Sequence, residues 1–194
     1  MDKKSVISFF DKVAPGWDAD MIKDQWKVDK ILECAGVKAG CTVLDVACGT
    51  GVLIPDYLER KVKQVIGVDI SPEMIRIATE KYKEYPQVQF MCADAEEVRL
   101  EEFFHCIMIY NAFPHFCQPE ELIKHLSGLL KPGGTLTVAH GMGKAQLDQL
   151  HSGSAKHVSN GLISIEEMEA LMSPYVTVEQ ALSTEEMYLV TGRK

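Results

Sequence analysis

A carboxylate and two glycines interrupt an apolar run in the stretch TVLDVACGTGVL, which begins at Thr42. Asp45 lies inside the run, and Gly49 and Gly51 follow it as a G-x-G pair. Glycine lets the backbone turn sharply and approach a ligand closely, so this turn is a candidate binding site. Because a plain strand-to-helix turn has the same pattern, the pair alone is a weak signal.

Two more acids follow later apolar runs. Asp69 ends the run in GVDIS, and Asp94 ends the next one in CADAEEV. An acid at the distance of Asp69 from the glycine turn can accept hydrogen bonds from both hydroxyls of a ribose. A single aspartate after a strand is often only a helix cap, but three acids on successive strands indicate a ligand site.

The glycine turn departs from the pattern of nicotinamide dehydrogenases. Their G-x-G-x-x-G/A fingerprint requires a small sixth residue, and Ile54 stands there. A diphosphate also gains nothing from the carboxylate of Asp45 beside its cradle. A ligand with a ribose, no phosphate and a positive charge fits better, and S-adenosylmethionine is such a ligand.

The elements that must position these residues alternate along the chain. Apolar runs (TVLDVA, QVIGVDI, VQFMCAD, HCIMIYNAF, GTLTVAHG) are separated by amphipathic segments. This alternation predicts an α/β fold with a doubly wound, mostly parallel sheet. Ser71 and Pro72 predict a helix start, and residues 132–134 predict the turn that ends a later helix. Two final strand-like runs predict an antiparallel hairpin at one sheet edge.

With these segments in place, the sequence resembles the class I S-adenosylmethionine-dependent methyltransferases. The segments VLDVACGTG, VIGVDIS, CADAEEV, IMIYNAF and LLKPGGTL are similar to five of the family's motifs, in order, over roughly residues 5 to 140. The resemblance implies one domain over residues 1–194 with a seven-stranded sheet. Residues 1–40 are expected to form a helical lid, 41–140 the cofactor-binding core, and 141–194 a substrate-side segment and the closing hairpin.

The resemblance also implies the cofactor-binding residues. The methionine part is expected at Asp45, Cys48, Gly49 and Gly51, the ribose and adenine at Asp69 and Ile70, the adenine edge at Asp94 and Ala95, and the sulfonium near Tyr110 or Asn111. The opening FFDKVAPGWD is similar to the first helix of ubiquinone and menaquinone C-methyltransferases, which implies that Trp17 belongs to the lid. A buried core tryptophan is the alternative for Trp17.

Six histidines, all between positions 105 and 157, are candidates for the acceptor side. We interpret His105, at a strand start, and His125, inside a helix, as structural. The others are predicted to face the pocket end of the sheet as a general base for a phenol, thiol or enol, or as ordinary loop histidines: His115, His140, His151 and His157. A metal site at His140, His151 and His157 is the less favoured option because their spacing matches no compact metal motif.

Composition limits the partners. The net charge is -8 and the pI about 5.3, which disfavours a nucleic-acid substrate. The run 111–115, Asn-Ala-Phe-Pro-His, also departs from the Asn/Asp-Pro-Pro-aromatic sequence of amino-directed relatives. No signal peptide or membrane span is predicted, and six scattered cysteines read as reduced thiols, so a cytoplasmic location is expected.

These observations predict an enzyme that transfers a methyl group from S-adenosylmethionine to a small-molecule acceptor. The alternatives are a binding module that keeps the cofactor site without catalysing transfer, and a methyltransferase-fold protein with a histidine metal site. The acceptor atom and the oligomeric state do not follow from the sequence.

Overall fold

The computed structural model describes residues 1–19, 23–151 and 156–194. Within these ranges the strands are β1 (Thr42–Val46), β2 (Gln64–Asp69), β3 (Val88–Cys92), β4 (Phe104–Tyr110), β5 (Leu130–His140), β6 (Thr177–Ser183) and β7 (Tyr188–Arg193). They form one sheet in the order β3-β2-β1-β4-β5-β7-β6. Strands β1 to β5 are parallel, and β7 is antiparallel to both β5 and β6. The predicted α/β fold, with its mostly parallel seven-stranded sheet and C-terminal hairpin, is confirmed.

Helices surround the sheet on both faces. They are α1 (Lys3–Val13), α2 (Gln25–Cys34), α3 (Ile54–Glu59), α4 (Pro72–Tyr82), α5 (Pro119–Gly128), α6 (Lys144–His151) and α7 (Ile165–Met172). Short 3-10 turns lie at Ala14–Gly16, Phe113–His115 and Lys156–Val158. In the described part of the chain, no helix combines the length and the apolar character that a membrane crossing requires.

The sheet separates two hydrophobic cores, and β1 contributes to both. Leu44 and Val46 pack on one face, while Val43 packs on the other. Because side chains alternate between the two faces of a strand, a strand covered on both sides must be apolar at every position except where chemistry requires otherwise. Asp45 is the charged exception in β1, where all five residues are buried.

The strand order places a crevice beside β1. The chain proceeds outward from β1 to β2 and β3, and then returns to the other side of β1 with β4 and β5. In open parallel sheets, ligands bind beyond the carboxyl ends of the strands at such a reversal of direction. The residues that follow β1, β2, β3 and β4 therefore surround one region of space.

Helix α4 begins as the sequence predicts. The Ser71 hydroxyl accepts a hydrogen bond from the Met74 backbone N–H at 3.2 Å, and Pro72 is the first helical residue.

The start of β5 differs from the sequence-based prediction. Helix α5 already ends at Gly128, and residues 132–134 lie inside β5. Leu130 pairs with Phe104, and pairing with β4 resumes only at Thr135. Gly133, with φ of 76°, lies in this irregular stretch. Gly133 and Gly134 thus form a bulge within β5, because the pairing of β5 with Phe104 begins at Leu130, before these two residues.

Candidate functional site

A cavity of about 320 Å³ opens at the carboxyl ends of β1 to β4. Its volume is at the lower end of the range for small-molecule sites, about 300 to 1,000 Å³. All but one of the residues that the sequence assigns to the cofactor line it: Trp17, Asp45, Cys48, Gly49, Asp69, Ile70, Asp94, Ala95, Tyr110 and Asn111. The exception is Gly51.

Gly49 sits at the floor of this cavity in a left-handed conformation, with φ of 55°. Its backbone N–H donates to Asp69 Oδ2 at 2.9 Å. A Cβ atom at this position would lie 3.8 Å from Trp17 Nε1 and 3.9 Å from Met74 Sδ, without a clash. The missing side chain therefore leaves space within the cavity and not within the protein core.

Gly51 has a different function from the one predicted. Its φ is 84°, and a Cβ atom there would lie 2.6 Å from Tyr82 Cε2. Its carbonyl accepts a hydrogen bond from the Tyr82 hydroxyl at 3.0 Å. The second glycine therefore permits helix α4 to pack against the turn, and the expectation that it surrounds the ligand is corrected.

The Asp69 carboxylate joins three elements. Oδ1 accepts from the Ser71 N–H at 2.8 Å and Oδ2 accepts from Gly49, so the end of β2 is tied to α4 and to the glycine turn. Burial raises the pKa of this carboxyl, while the two backbone hydrogen bonds oppose that rise. Since each carboxylate oxygen has two lone pairs, both oxygens keep acceptor capacity for a ligand.

Asp45 is the most deeply buried acid of the cavity lining, with 2% of its surface exposed. Burial and then the neighbouring charge of Asp69 raise the pKa of Asp45 to about 8, while Tyr57 lowers it. Burial also holds the pKa values of Cys48 and Tyr57 well above their usual ranges. At neutral pH, Asp45 therefore holds a proton unless a cation arrives beside it.

The N-terminal segment crosses the cavity and contacts the loop after each of the first three strands. The contacts pair Lys3 Nζ with Asp94, Asp11 Oδ1 with the Ser71 hydroxyl at 2.5 Å, and Asp18 Oδ1 with the Thr50 hydroxyl at 2.6 Å. These polar contacts hold α1 and the turn that follows it over the carboxyl ends of β1 to β3.

Aromatic side chains of this segment form a continuous wall. The ring of Phe10 lies edge-on to Trp17, with centroids 5.8 Å apart, and edge-on to His115 at 5.0 Å. Because Trp17 stands over Gly49, the wall runs from the glycine turn to the histidine.

His115 is the histidine that lines the cavity in the part of the chain the structure describes. Its Nδ1 lies 2.6 Å from the carbonyl oxygen of Val158. A carbonyl can only accept, so Nδ1 carries the hydrogen and the neutral ring has its lone pair on Nε2. This tautomer is the one that a base acting through Nε2 requires.

The other predicted histidines do not converge with it. His140 is fully buried and lies beside Tyr188, its partner in the β5–β7 register, at a ring distance of 6.1 Å. As the last residue of β5 it shares the face of Val138, which packs in the hydrophobic core on that side of the sheet, and its side chain is not part of the cavity lining. His157 is exposed and lies edge-on to Phe9 at 5.7 Å. The prediction that these two face the pocket is wrong, and the His151 side chain lies outside the described residues.

The positions of these histidines also argue against the metal site that was considered at His140, His151 and His157. Across residues 1–19, 23–151 and 156–194, no three His, Cys, Asp or Glu side chains are grouped so that they could hold a metal ion. His140 and His157 lie on different elements, the end of β5 and a 3-10 turn.

Sequence reasoning missed several cavity residues. Lys23 lines the cavity, and its ammonium contacts Asp56, which is 2% exposed and lies in the first turn of α3. No strand end or motif marks Lys23. Phe10 lies in the same opening segment as Trp17, FFDKVAPGWD, but no spacing pattern marks it because α1 ends at Val13. Met142 and Leu147 line the cavity from the segment after β5.

Comparisons of the sequence with known proteins find methyltransferases. A family model described as a methyltransferase domain matches residues 43–134. The ubiquinone/menaquinone biosynthesis C-methyltransferase UbiE of Yersinia pestis is 34% identical over 113 residues, covering 55% of this chain and 45% of the relative. The malonyl-[acyl-carrier protein] O-methyltransferase 1 of Ilyobacter polytropus is 30% identical over 138 residues, covering 70% and 52%.

Solved structures share the fold over nearly the whole chain. The N-methyltransferase NodS of Bradyrhizobium japonicum, in complex with S-adenosyl-L-homocysteine, superposes with a TM-score of 0.78 at 15% identity, covering 97% of each chain. At this identity the likeness concerns the fold alone. The chain spans about half the length of the curated relatives that it matches.

Proposed function

We propose that this chain, which belongs to the class I S-adenosylmethionine-dependent methyltransferases, transfers the methyl group of S-adenosylmethionine to a small-molecule acceptor. The observation that supports this most directly is the continuity of one cavity from the Gly49 turn and Asp69 to His115. The residues after β1 to β3 would hold the cofactor, and the residues after β4 would lie beside its reactive end.

The chemical character of the lining supports each cofactor role. We assign the methionine part to Asp45 and Gly49, with Lys23 as a candidate for its carboxylate. Lys23 fits there because it lines the cavity and its partner Asp56 lies in the first turn of α3, the helix after the glycine turn. Cys48 lines the same side of the cavity.

The nucleoside part is assigned to the ends of β2 and β3. Asp69 and Ile70 are proposed to hold the ribose, and Asp94 with Ala95 the edge of adenine. Asp94 Oδ1 already accepts from the Glu96 N–H at 2.9 Å, which orients the carboxylate.

Methyl transfer requires alignment more than acid or base strength. The bound cofactor supplies a methyl group on a sulfonium, which is a good leaving group. Holding a nucleophile in line with it can lower the barrier by several kcal/mol, roughly 7 to 11 in the best intramolecular systems. Tyr110 and Asn111 are the candidates beside the sulfonium; Asn111 Oδ1 accepts from the Gly141 N–H at 2.9 Å, which fixes the chain after β4 against that after β5.

A base is needed only for a nucleophile that arrives protonated, and we assign that role to His115. The acidic net charge of -8 supports a small molecule over a nucleic acid as acceptor. Six free cysteines support a reducing location such as the cytoplasm.

The proposal is tested by incubating the protein with S-adenosylmethionine and separate thiols, phenols, amines and carboxylates, and by measuring S-adenosylhomocysteine. Product formation with one acceptor class, absent from the acceptor-free control, supports transfer. Tight cofactor binding without product for any acceptor supports the alternative of a binding module.

Cofactor affinity should depend on pH through Asp45. A cationic ammonium beside Asp45 favours the ionised carboxylate, so binding should release a proton and affinity should rise with pH toward about 8. Calorimetric titrations in two buffers of different ionisation enthalpy measure the proton released.

The matched control is Asp45→Asn. The cofactor's own α-amino group also titrates near 8, and the variant retains that contribution alone. We expect the asparagine variant to lose the rise in affinity between about pH 6 and 8. A wild-type profile that the variant reproduces would remove Asp45 from the ammonium role.

The N-terminal segment should act as a lid. Helix α1 buries only Val6 fully, and its ion pairs are partly exposed, so they hold it weakly. We expect the amides of α1 to exchange faster than those of β1 in the free protein and to slow at least about tenfold when cofactor binds, because Phe10 and Trp17 then gain a ligand surface. Equal protection of α1 with and without cofactor would contradict the lid.

A further inference from the structure

We infer that Tyr57 is a positioning residue for the cofactor: its hydroxyl lies behind Asp45 and donates a hydrogen bond to the Asp45 carboxylate when the cofactor's ammonium binds there. This inference rests on the proposed function, in which Asp45 holds that ammonium. The observations that carry it are the face of the sheet on which Tyr57 packs and the lack of a hydrogen-bond partner for its buried hydroxyl among the described residues.

Asp45 and Tyr57 lie on the same face of the sheet. Side chains two residues apart in a strand point to the same face, so Asp45 shares the face of Val43. Val43 packs in the hydrophobic core that also contains Tyr57, which comes from α3. Asp45 lines the cavity, whereas Tyr57 is not part of the cavity lining. Tyr57 is therefore placed in the protein interior, behind Asp45 as seen from the cavity.

The Tyr57 hydroxyl is a buried polar group with an unused hydrogen. The side chain is 0% exposed, and within the part of the chain that the structure describes the hydroxyl has no hydrogen-bond partner. An unpaired buried hydroxyl costs folding free energy that phenylalanine in the same space would not cost. A role that phenylalanine cannot perform explains the tyrosine.

The ionisation of Asp45 depends on this hydroxyl. Burial holds the pKa of Tyr57 well above its usual range, so the phenol keeps its proton at neutral pH and can donate it in a hydrogen bond. Burial and then the charge of Asp69 raise the pKa of Asp45 to about 8, and Tyr57 opposes this rise. A group that lowers the pKa of a carboxyl stabilises the carboxylate over the acid. Tyr57 therefore favours the charged form of Asp45 that an ammonium requires.

Other ionisable groups also act on this pair. They are Asp69 of β2, Cys48 of the glycine turn, Cys106 of β4 and Asp56 of α3, which contacts Lys23. Burial raises the pKa of Cys48 well above its usual range and that of Cys106 to about 12, so neither thiol is ionised near neutral pH. Because Asp69 acts on Asp45 whether or not the hydroxyl is there, a change at Tyr57 isolates the hydroxyl.

Tyr57→Phe removes the hydroxyl and preserves the ring. Since the hydroxyl is buried and unpaired, the melting temperature of the variant without cofactor should equal or exceed that of the wild type. The affinity for S-adenosylhomocysteine at pH 7 should nevertheless fall about tenfold by calorimetric titration, because Asp45 then ionises less readily. A purely structural role for Tyr57 would not lower affinity while stability is kept.

The matched ligand is 5′-methylthioadenosine, which shares the adenosine and the thioether sulfur with S-adenosylhomocysteine but lacks the amino acid. Its affinity should change less than about twofold in Tyr57→Phe. The matched background is Asp45→Asn, which has no carboxyl to ionise. Adding Tyr57→Phe to Asp45→Asn should change the affinity for S-adenosylhomocysteine less than about threefold, because the interaction between the two side chains is already lost.

Proton release reports on Asp45 directly. At pH 8 Asp45 is about half ionised before binding, so binding should release about half a proton from it in the wild type. Tyr57→Phe should release more, because its Asp45 begins more fully protonated, while the cofactor's own amino group contributes equally to both proteins. Titrations at pH 8 in two buffers of different ionisation enthalpy measure the difference.

The outcomes separate this inference from the proposed function. Unchanged affinity for S-adenosylhomocysteine in Tyr57→Phe, or equal losses for both ligands, overturns the role of Tyr57 and leaves methyl transfer intact. A variant that loses stability but keeps its affinity has lost only a packing contact, which also overturns the inference. Wild-type protein that binds S-adenosylhomocysteine but methylates no acceptor class overturns the proposed transfer and leaves the role of Tyr57 in place.

Discussion

Replacing Gly49 by valine should abolish binding of S-adenosylmethionine and S-adenosylhomocysteine. The Cβ atom at this position points into the cavity, where the nearest protein atoms are 3.8 Å away, so the side chain takes space that the ligand needs. A β-branched residue also tolerates the φ of 55° poorly. We expect a loss of affinity of at least about 100-fold by calorimetric titration, with a folded protein by circular dichroism.

The matched controls are alanine substitutions at the two glycines of the turn. Both positions have positive φ, and the strain costs about 1 to 2 kcal/mol at each. Only at Gly51 does the added Cβ meet a ring, Tyr82, at 2.6 Å. Gly51→Ala should therefore lower the melting temperature more than Gly49→Ala, whereas Gly49→Ala should reduce affinity more. A well-folded Gly49→Val protein with wild-type affinity would show that this turn only connects β1 to α3.

Replacing Asp69 by alanine should weaken cofactor binding by about 1.5 to 3 kcal/mol, toward the upper end of that range. The variant loses the acceptor proposed for the ribose. It also loses the hydrogen bond that holds the Gly49 N–H at 2.9 Å, so the glycine turn becomes less ordered. Affinity for S-adenosylhomocysteine measured by calorimetry checks the prediction.

Ser71→Ala is the control for Asp69. The Ser71 hydroxyl caps α4 and donates to Asp11, but the side chain does not line the cavity. Removing the cap should lower the free energy of unfolding by about 0.5 to 2 kcal/mol while affinity changes little. If the two variants lose affinity equally, Asp69 acts through the start of α4 and has no direct contact with the ligand.

Local sequence patterns were sufficient to predict most residues at the end of the cavity that is proposed for the cofactor. Asp45 lies one residue before the end of β1, Asp69 ends β2 and Asp94 follows β3. Parallel strands bring their carboxyl ends to one edge of the sheet. Once the strands were recognised from their apolar runs, their convergence followed from the fold. The prediction failed at Gly51, because the contact that distinguishes this glycine is with Tyr82, which lies 31 residues away in the sequence.

The acceptor end could not be predicted in the same way. His140 was expected in the pocket because it ends a strand, yet its place in the register with Tyr188 turns it into the core. The tautomer of His115 is fixed by a hydrogen bond to the carbonyl of Val158, which lies 43 residues later in the sequence. Neither pairing leaves a signal in the local sequence.

By itself, the sequence determined the α/β class, the parallel strands and the carboxylates and glycine at their ends, because the side-chain periodicity of a strand and the geometry of a glycine turn are local properties. Only the tertiary structure decided that His115 reaches the cavity, that Lys3 and Lys23 are already paired, and that an aromatic wall joins Trp17 to His115. These features depend on contacts between segments far apart in the chain. Packing and register create such contacts, and no short stretch of residues contains them.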